Sequence, residues 1–226
     1  AMEAQLVGVS FSFKEQEAFY IPVNHDDIDG NIKLDKEKFF NYLKEIFSDK
    51  SMKVVGQNLK YDMNVLHKYN VIFKCKIEDT MILSYIYNSS RKHDLDSLSE
   101  RYLDHTTIKY KEVVGSGVKQ KIFSEVSISE AVPYACEDAD LTLRIYNYLS
   151  NKLSTLKEQS NLYRQVELPL VKVIANIEQN GVMINAKSLE KQSNDLDRRI
   201  KDIEKNVYKH AKKEFNISSP KQIQEI

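Results

Sequence analysis

Cysteine is almost missing from this chain: two residues in 226, Cys75 and Cys136. That excludes a disulfide framework and points to a reducing, cytoplasmic setting. With only five histidines beside them, a Cys/His zinc site is excluded too. No apolar run approaches the roughly 18 residues a membrane helix needs, and no signal-peptide pattern opens the chain. No membrane partner is expected. Net charge is absent as well, 33 basic residues cancelling 33 acidic ones. This argues against a protein that coats nucleic acid non-specifically, while leaving room for a local basic patch. Arginine supplies only 6 of the basic residues, so few side chains suit bidentate phosphate contacts. There is no tryptophan, no internal repeat and no low-complexity tract. What remains, 42% hydrophobic and 29% charged residues, is an ordinary globular composition. The length suits one large domain, or one domain plus part of another.

The pattern along the chain predicts an α/β architecture. Leu6 to Phe13 and Ala18 to Val23 read as a β-hairpin, and Asn24 to Asn31, with Asp26, Asp27, Asp29 and Gly30, as a loop. Asp35 caps a helix bearing Phe39, Phe40, Leu43, Ile46 and Phe47. Met52 to Val55 suits a buried strand. It runs into the polar turn Gly56-Gln-Asn-Leu-Lys-Tyr-Asp62 and a helix, which is the strand–turn–helix signature. A second short strand is expected at Ile72 to Cys75, then helices from Asp79 to Tyr87 and from Asp94 onward. Thr106 to Lys121 reads as a loop. Glu130 to Leu149 is a long helix with Pro133 in its first turn. After about residue 150 the character changes. Leu162 to Glu178 is helical around Pro169, and Gly181 to Asn185 is extended. The final long helix carries a narrow apolar seam of Leu189, Leu196, Ile200, Ile203 and Val207, which calls for a partner element.

Two aspartates stand out. Asp62 lies just inside the helix after the Gly56-Gln-Asn turn, at a strand's C-terminal edge, where ligands collect in open α/β sheets. Taken alone, it is equally a first-turn acid favoured by the helix dipole. Asp138 follows Tyr134 by one helical turn, and Glu137 and Asp140 beside it fit a solvated acidic face. Together these carboxylates suit Mg²⁺ or Mn²⁺, hard cations that take oxygen ligands. Two such ions roughly 4 Å apart serve phosphodiester hydrolysis, and a phenol nearby can orient the attacking water. Acidic pairs are common, so spacing alone does not decide the matter.

The surrounding residues do. Val55-Gly-Gln-Asn-Leu-Lys-Tyr-Asp62 resembles the second exonuclease motif of the bacterial DNA polymerase I family, the family-A DNA polymerases, and Tyr134-Ala-Cys-Glu-Asp138 resembles its third. Asp79-Thr-Met-Ile-Leu83 and His93-Asp-Leu-Asp-Ser-Leu98 are similar to segments of the same proofreading domain. Asn180-Gly-Val and Phe215-Asn-Ile-Ser-Ser219 resemble the linker and opening helices of the polymerase domain. The resemblance implies a ribonuclease H-like 3′–5′ exonuclease fold, a mixed sheet flanked by helices, over residues 1–150. Residues 151–226 would then be the linker and first helices of a truncated polymerase domain. It implies an enzyme of DNA replication and repair that removes the 3′-terminal nucleotide of single-stranded DNA with two divalent metals, at the nucleoid through its DNA. Asp62 and Asp138 would be metal ligands, and Tyr134 would position the water. Gln57, Asn58 and Tyr61 would hold the terminal nucleotides. Lys92 stands where the family often has Arg, and Tyr110 matches an aromatic position where a ring can stack on a base.

One departure bears on activity. The family's first motif, Asp-x-Glu, supplies two further carboxylates, and no such segment precedes Leu6. Glu3 alone is a poor substitute, so weak or absent hydrolysis is expected from the chain as it stands. Nothing resembles the polymerase palm, so no polymerisation is expected either. Two other readings stay open: a non-catalytic exonuclease-like module supporting the polymerase domain, and a free-standing ribonuclease of the same acidic class, against which the tail from Val166 speaks.

Overall fold

The computed structural model describes residues 1–26 and 34–226. The expected loop at Asn24 to Asn31 falls outside them from Asp27 onward. The hairpin forms as the alternation demands. β1 (Gly8–Lys14) pairs antiparallel with β2 (Glu17–Pro22), setting Val9 against Ile21 and Phe11 against Phe19. Gly8 is glycine for a steric reason. A Cβ there would stand 2.0 Å from the Tyr20 hydroxyl, which is itself held 2.6 Å from His25 Nε2.

Asp35 caps α1 (Lys36–Ser48) by accepting the Lys38 N–H, and the helix buries Phe39, Leu43 and Phe47. β3 (Lys53–Gly56) then leads through a tight turn into α2 (Leu59–His67). The second strand lies later than its pattern suggests. Val71, Phe73, Cys75 and Ile77 are all buried in alternation, yet the Lys74 and Cys75 N–H groups bond to the Phe47 carbonyl. Ladder pairing therefore begins only at β4 (Lys76–Asp79), parallel to β3. Hydrophobic alternation reports burial, and hydrogen-bond partners decide where a strand starts.

α3 (Thr80–Tyr87) and α4 (Leu95–Leu103) follow, capped by Asp79 and Asp94. The stretch expected to be a loop, Thr106 to Lys121, contains a short helix, α5 (Tyr110–Val114), which buries Val114 against Val126 and Ala131. α6 (Ile128–Ser154) starts earlier than expected because Ser127 is its cap, and this moves Pro133 out of the first turn into the second. This helix packs against β1, β2, β3, α3, α4 and α5. It is the spine of the domain. α7 (Lys157–Leu162), a π-helical turn at Tyr163–Glu167 and α8 (Leu168–Asn180) follow.

Two compact units result, Ala1–Asn180 and Gly181–Ile226. The first closes well beyond the expected boundary at 150, because Val171 and Ala175 of α8 join the core around α1 and α2, and Tyr163 joins the core around α6. The second unit holds α9 (Ala186–Ala211) and the short α10 (Pro220–Gln224). Gly181 to Asn185 has no strand pairing. In α9 the seam residues Leu189, Leu196, Ile200 and Ile203 are exposed, consistent with an apolar stripe that awaits a partner. No described helix is long and apolar enough to cross a membrane.

Candidate active site

The turn between β3 and α2 carries four of the expected residues. Asn58 sits in the left-handed region at φ 57°, which asparagine tolerates better than most residues. That conformation turns the chain from strand into helix within two residues. It brings Tyr61, half exposed, and Asp62 onto the first turn of α2. The Gln57 amide is fixed from both ends. Its Nε2 donates to the His93 carbonyl at 2.7 Å and its Oε1 accepts from the Thr80 hydroxyl. One amide hydrogen and one lone pair remain for a ligand. Lys92 is exposed beside His93, its carbonyl accepting from Arg101 at 3.1 Å. A hollow of about 390 Å³ opens next to this turn, lined by Asn58, Tyr61, Lys60, Asn64 and Glu178 with the first two residues of the chain.

A second group gathers on α6. Tyr134 and Asp138 stand one turn apart on α6 and are electrostatically coupled. Tyr110 on α5 stacks on Phe123 with centroids 6.2 Å apart, and both rings lie about as close to Tyr134, at 6.1 and 6.0 Å. Tyr110, Tyr134 and Asp138 thus share one aromatic and acidic patch. α6 packs on β3, the strand that delivers the other group.

Burial is the main cause that raises both aspartates. Asp138 is pushed up to about 6, with Glu137 and Asp96 adding repulsion while the Tyr134 hydroxyl pulls the other way. Asp62 reaches about 7, with Asp79 as its repulsive neighbour. Surface area and crowding disagree at Asp62, which is solvent-accessible by area yet densely surrounded by protein. The water that reaches this exposed carboxylate tempers the shift. Neither aspartate is the other's repulsive neighbour: that role falls to Asp79 for Asp62, and to Glu137 and Asp96 for Asp138.

These shifts carry a sign. Each carboxyl holds its proton more tightly folded than unfolded, so its effect opposes stability increasingly as pH rises from about 4 to the folded value. Metal-free protein should gain melting temperature from these groups between about pH 7.5 and pH 5, and Asp138→Asn should flatten that gain. Thermal melts in chelator across this range measure it. A slope unchanged in the variant would contradict the assignment.

Several site-building residues escape a reading of the sequence. Glu137 is no solvated acid: it accepts from His105 Nε2 at 2.8 Å and from the Ile108 N–H at 2.7 Å, anchoring the segment that leads to Tyr110. Asp140 likewise accepts the Gln16 N–H and pairs with Arg144. Asp96 takes the Thr107 hydroxyl and Lys109. For a divalent cation, the donor chemistry of Asp62 and Asp138 fits, but among the described residues no three Asp, Glu, His or Cys side chains form a group that could hold a metal. The donor type fits and the donor number does not.

By sequence, this α/β domain is of the exonuclease class. A family model described as 3′–5′ exonuclease, of the A-type DNA polymerases, matches residues 1–154. DNA polymerase I of Pseudomonas aeruginosa is 40% identical over 226 residues, covering 99% of this chain and 25% of that protein. DNA polymerase I of Borreliella burgdorferi is 34% identical over 223 residues, 99% of this chain and 24% of the relative. In three dimensions the chain resembles the POL domain of Pol1 from M. smegmatis, solved in complex with DNA primer-template and dNTP. That likeness has TM-score 0.65 at 20% identity, over 92% of this chain and 31% of the other. The chain belongs to the 3′–5′ exonuclease domain family of DNA polymerase I. It spans about a quarter of the length of the curated relatives it matches.

Proposed function

We propose that this domain removes the 3′-terminal nucleotide of single-stranded DNA within a polymerase that serves DNA replication and repair. The observation that carries the reading is the match of residues 1–154 to the exonuclease family, with Tyr134 and Asp138 coupled one turn apart on α6 in a stretch that resembles the family's third motif. Asp62 and Asp138 would hold divalent cations, Mg²⁺ or Mn²⁺, which when bound supply activation of water and stabilisation of the leaving oxygen. Tyr134, neutral because burial and the Asp138 charge raise its pKa, orients the water without adding charge. Asn58 and Tyr61 line the hollow that would receive the strand end, Gln57 precedes Asn58 in the same turn and bonds to His93 beside Lys92, and Tyr110 offers a stacking face. Residues 1–150 would be the exonuclease and 151–226 the linker and opening helices of the polymerase domain, with the linker packed into the first compact unit as far as Asn180 and the rest of the polymerase domain as the tail's partner.

Only two of the ligands a two-metal site needs are in place, so binding should outlast catalysis in residues 1–226. A 3′-labelled single-stranded oligonucleotide should bind in chelator, more weakly as salt rises. It should lose its terminal nucleotide slowly in Mg²⁺ or Mn²⁺, and Asp138→Ala should bring that rate to background. Fast release that persists in Asp138→Ala would sink the assignment. The second reading, a non-catalytic supporting module, draws on the same shortage of ligands.

A further inference from the structure

We propose that Asp79 and Thr80, at the junction of β4 and α3, are positioning residues for the single-strand site. The proposal rests on the exonuclease reading. α2 has no cap of its own: the Asn58 side chain makes no hydrogen bond to its N-terminus. The cap comes instead from Asp79, about twenty residues away. Its Oδ1 accepts the Asn58 N–H at 3.3 Å and its Oδ2 the Leu59 N–H at 2.7 Å. The same Oδ1 accepts the Met81 and Ile82 N–H groups at 2.9 and 3.2 Å. One carboxylate thus closes two helices, tying the turn of α2 to the start of α3. Helix N-termini leave unpaired donors and carry positive potential, so a buried anion shared between two of them is held firmly.

Thr80 grips the same turn one residue earlier. Its hydroxyl bonds to the Gly56 carbonyl at 3.1 Å and to Gln57 Oε1. Behind the junction, Tyr163 accepts the Asp79 N–H at 3.0 Å and donates to Glu78 at 3.0 Å. Tyr163 is 1% exposed and Asp79 is 1% exposed, so these groups face no solvent and no strand. They touch neither hollow nor ligand. Their effect passes through the backbone of residues 56–59, which sets where Asn58, Tyr61 and Asp62 stand. Tyr163 belongs to the π-helical turn, an irregularity that often marks function; here it aims the hydroxyl at the junction.

The test compares Asp79→Asn, Thr80→Val and Thr80→Ser with Leu43→Ala, a destabilised control at a buried position of α1. Affinity for oligo(dT) is measured in chelator, with melting temperature and amide exchange at Asn58 and Leu59. Asp79→Asn should speed that exchange roughly 10-fold or more, the factor one charge-assisted hydrogen bond commands. It should also weaken binding several-fold, and Thr80→Val should do likewise while Thr80→Ser retains it. Leu43→Ala should melt early yet bind normally. Unchanged exchange in Asp79→Asn, or binding losses no larger than the control's, would overturn the proposal. If the unmodified protein fails to bind oligo(dT), the exonuclease reading fails, and the exchange rates still decide whether Asp79 holds the turn.

Discussion

Adding a strand with Asp-x-Glu ahead of Leu6 is expected to raise 3′-nucleotide release on the order of 10³-fold over residues 1–226 alone. The argument is one of ligand number. Mg²⁺ asks for near-octahedral oxygen coordination and dehydrates reluctantly, so a site with two carboxylates on separate elements holds it weakly. A bridging carboxylate does two things at once. It completes the coordination and it lets two cations sit side by side despite their charge. Losing an outer partner of a metal site costs about 10–100-fold, and the missing ligands themselves must cost more. The burial that raises Asp62 and Asp138 works in the same direction, since a cation must displace any proton each carboxyl holds. Single-turnover release of the labelled nucleotide with and without the added strand measures the factor. Equal rates would show that the remaining ligands lie elsewhere in the chain, and no activity with the strand restored would favour the supporting module.

The largest stability effect is expected at Leu149. It is fully buried about three turns of α6 beyond Asp138, in the cluster of Leu83, Leu98, Leu141, Ile145 and Tyr163. Truncation to alanine removes three heavy atoms from a region with no solvent path to refill it. Leu149→Ala should cost about 2–5 kcal/mol. For a chain of this size, each kcal/mol lowers the melting temperature by about 2–4 °C. A calorimetric melt of the variant beside the parent measures this. A loss under about 1 kcal/mol would mean that the cluster relaxes into the space.

Much of this was legible in the sequence wherever one residue type has one local job. Asp35 and Asp94 announced helix starts, and Gly56-Gln-Asn announced a turn between strand and helix. The hairpin followed from alternation alone. What escaped were partnerships across long separations. Asp79 looks like an ordinary cap for the helix it precedes, and nothing in its neighbours says that it also closes α2. Glu137 looks like surface because its partners, His105 and Ile108, lie about thirty residues back. β4 was misplaced for the same reason: burial alternates from Val71, while the available partner strand admits pairing only from Lys76. Tyr163 had no signal at all, since a π-helical turn is a product of packing rather than of local preference.

The long reach of α6 sets an order of events during synthesis. The turn of the first hairpin docks on it through Gln16 to Asp140 and through Glu15 to Asn147, separations of 124 and 132 residues. At about 5–20 residues per second, a ribosome needs roughly 6–25 s to close that gap. For that interval the hairpin has been made but its helix has not, and the phenol and carboxylate of α6 do not yet exist. A nascent chain stalled before about residue 134 therefore carries the β3–α2 turn without Tyr134 or Asp138. The two halves of the proposed site are therefore joined late in translation.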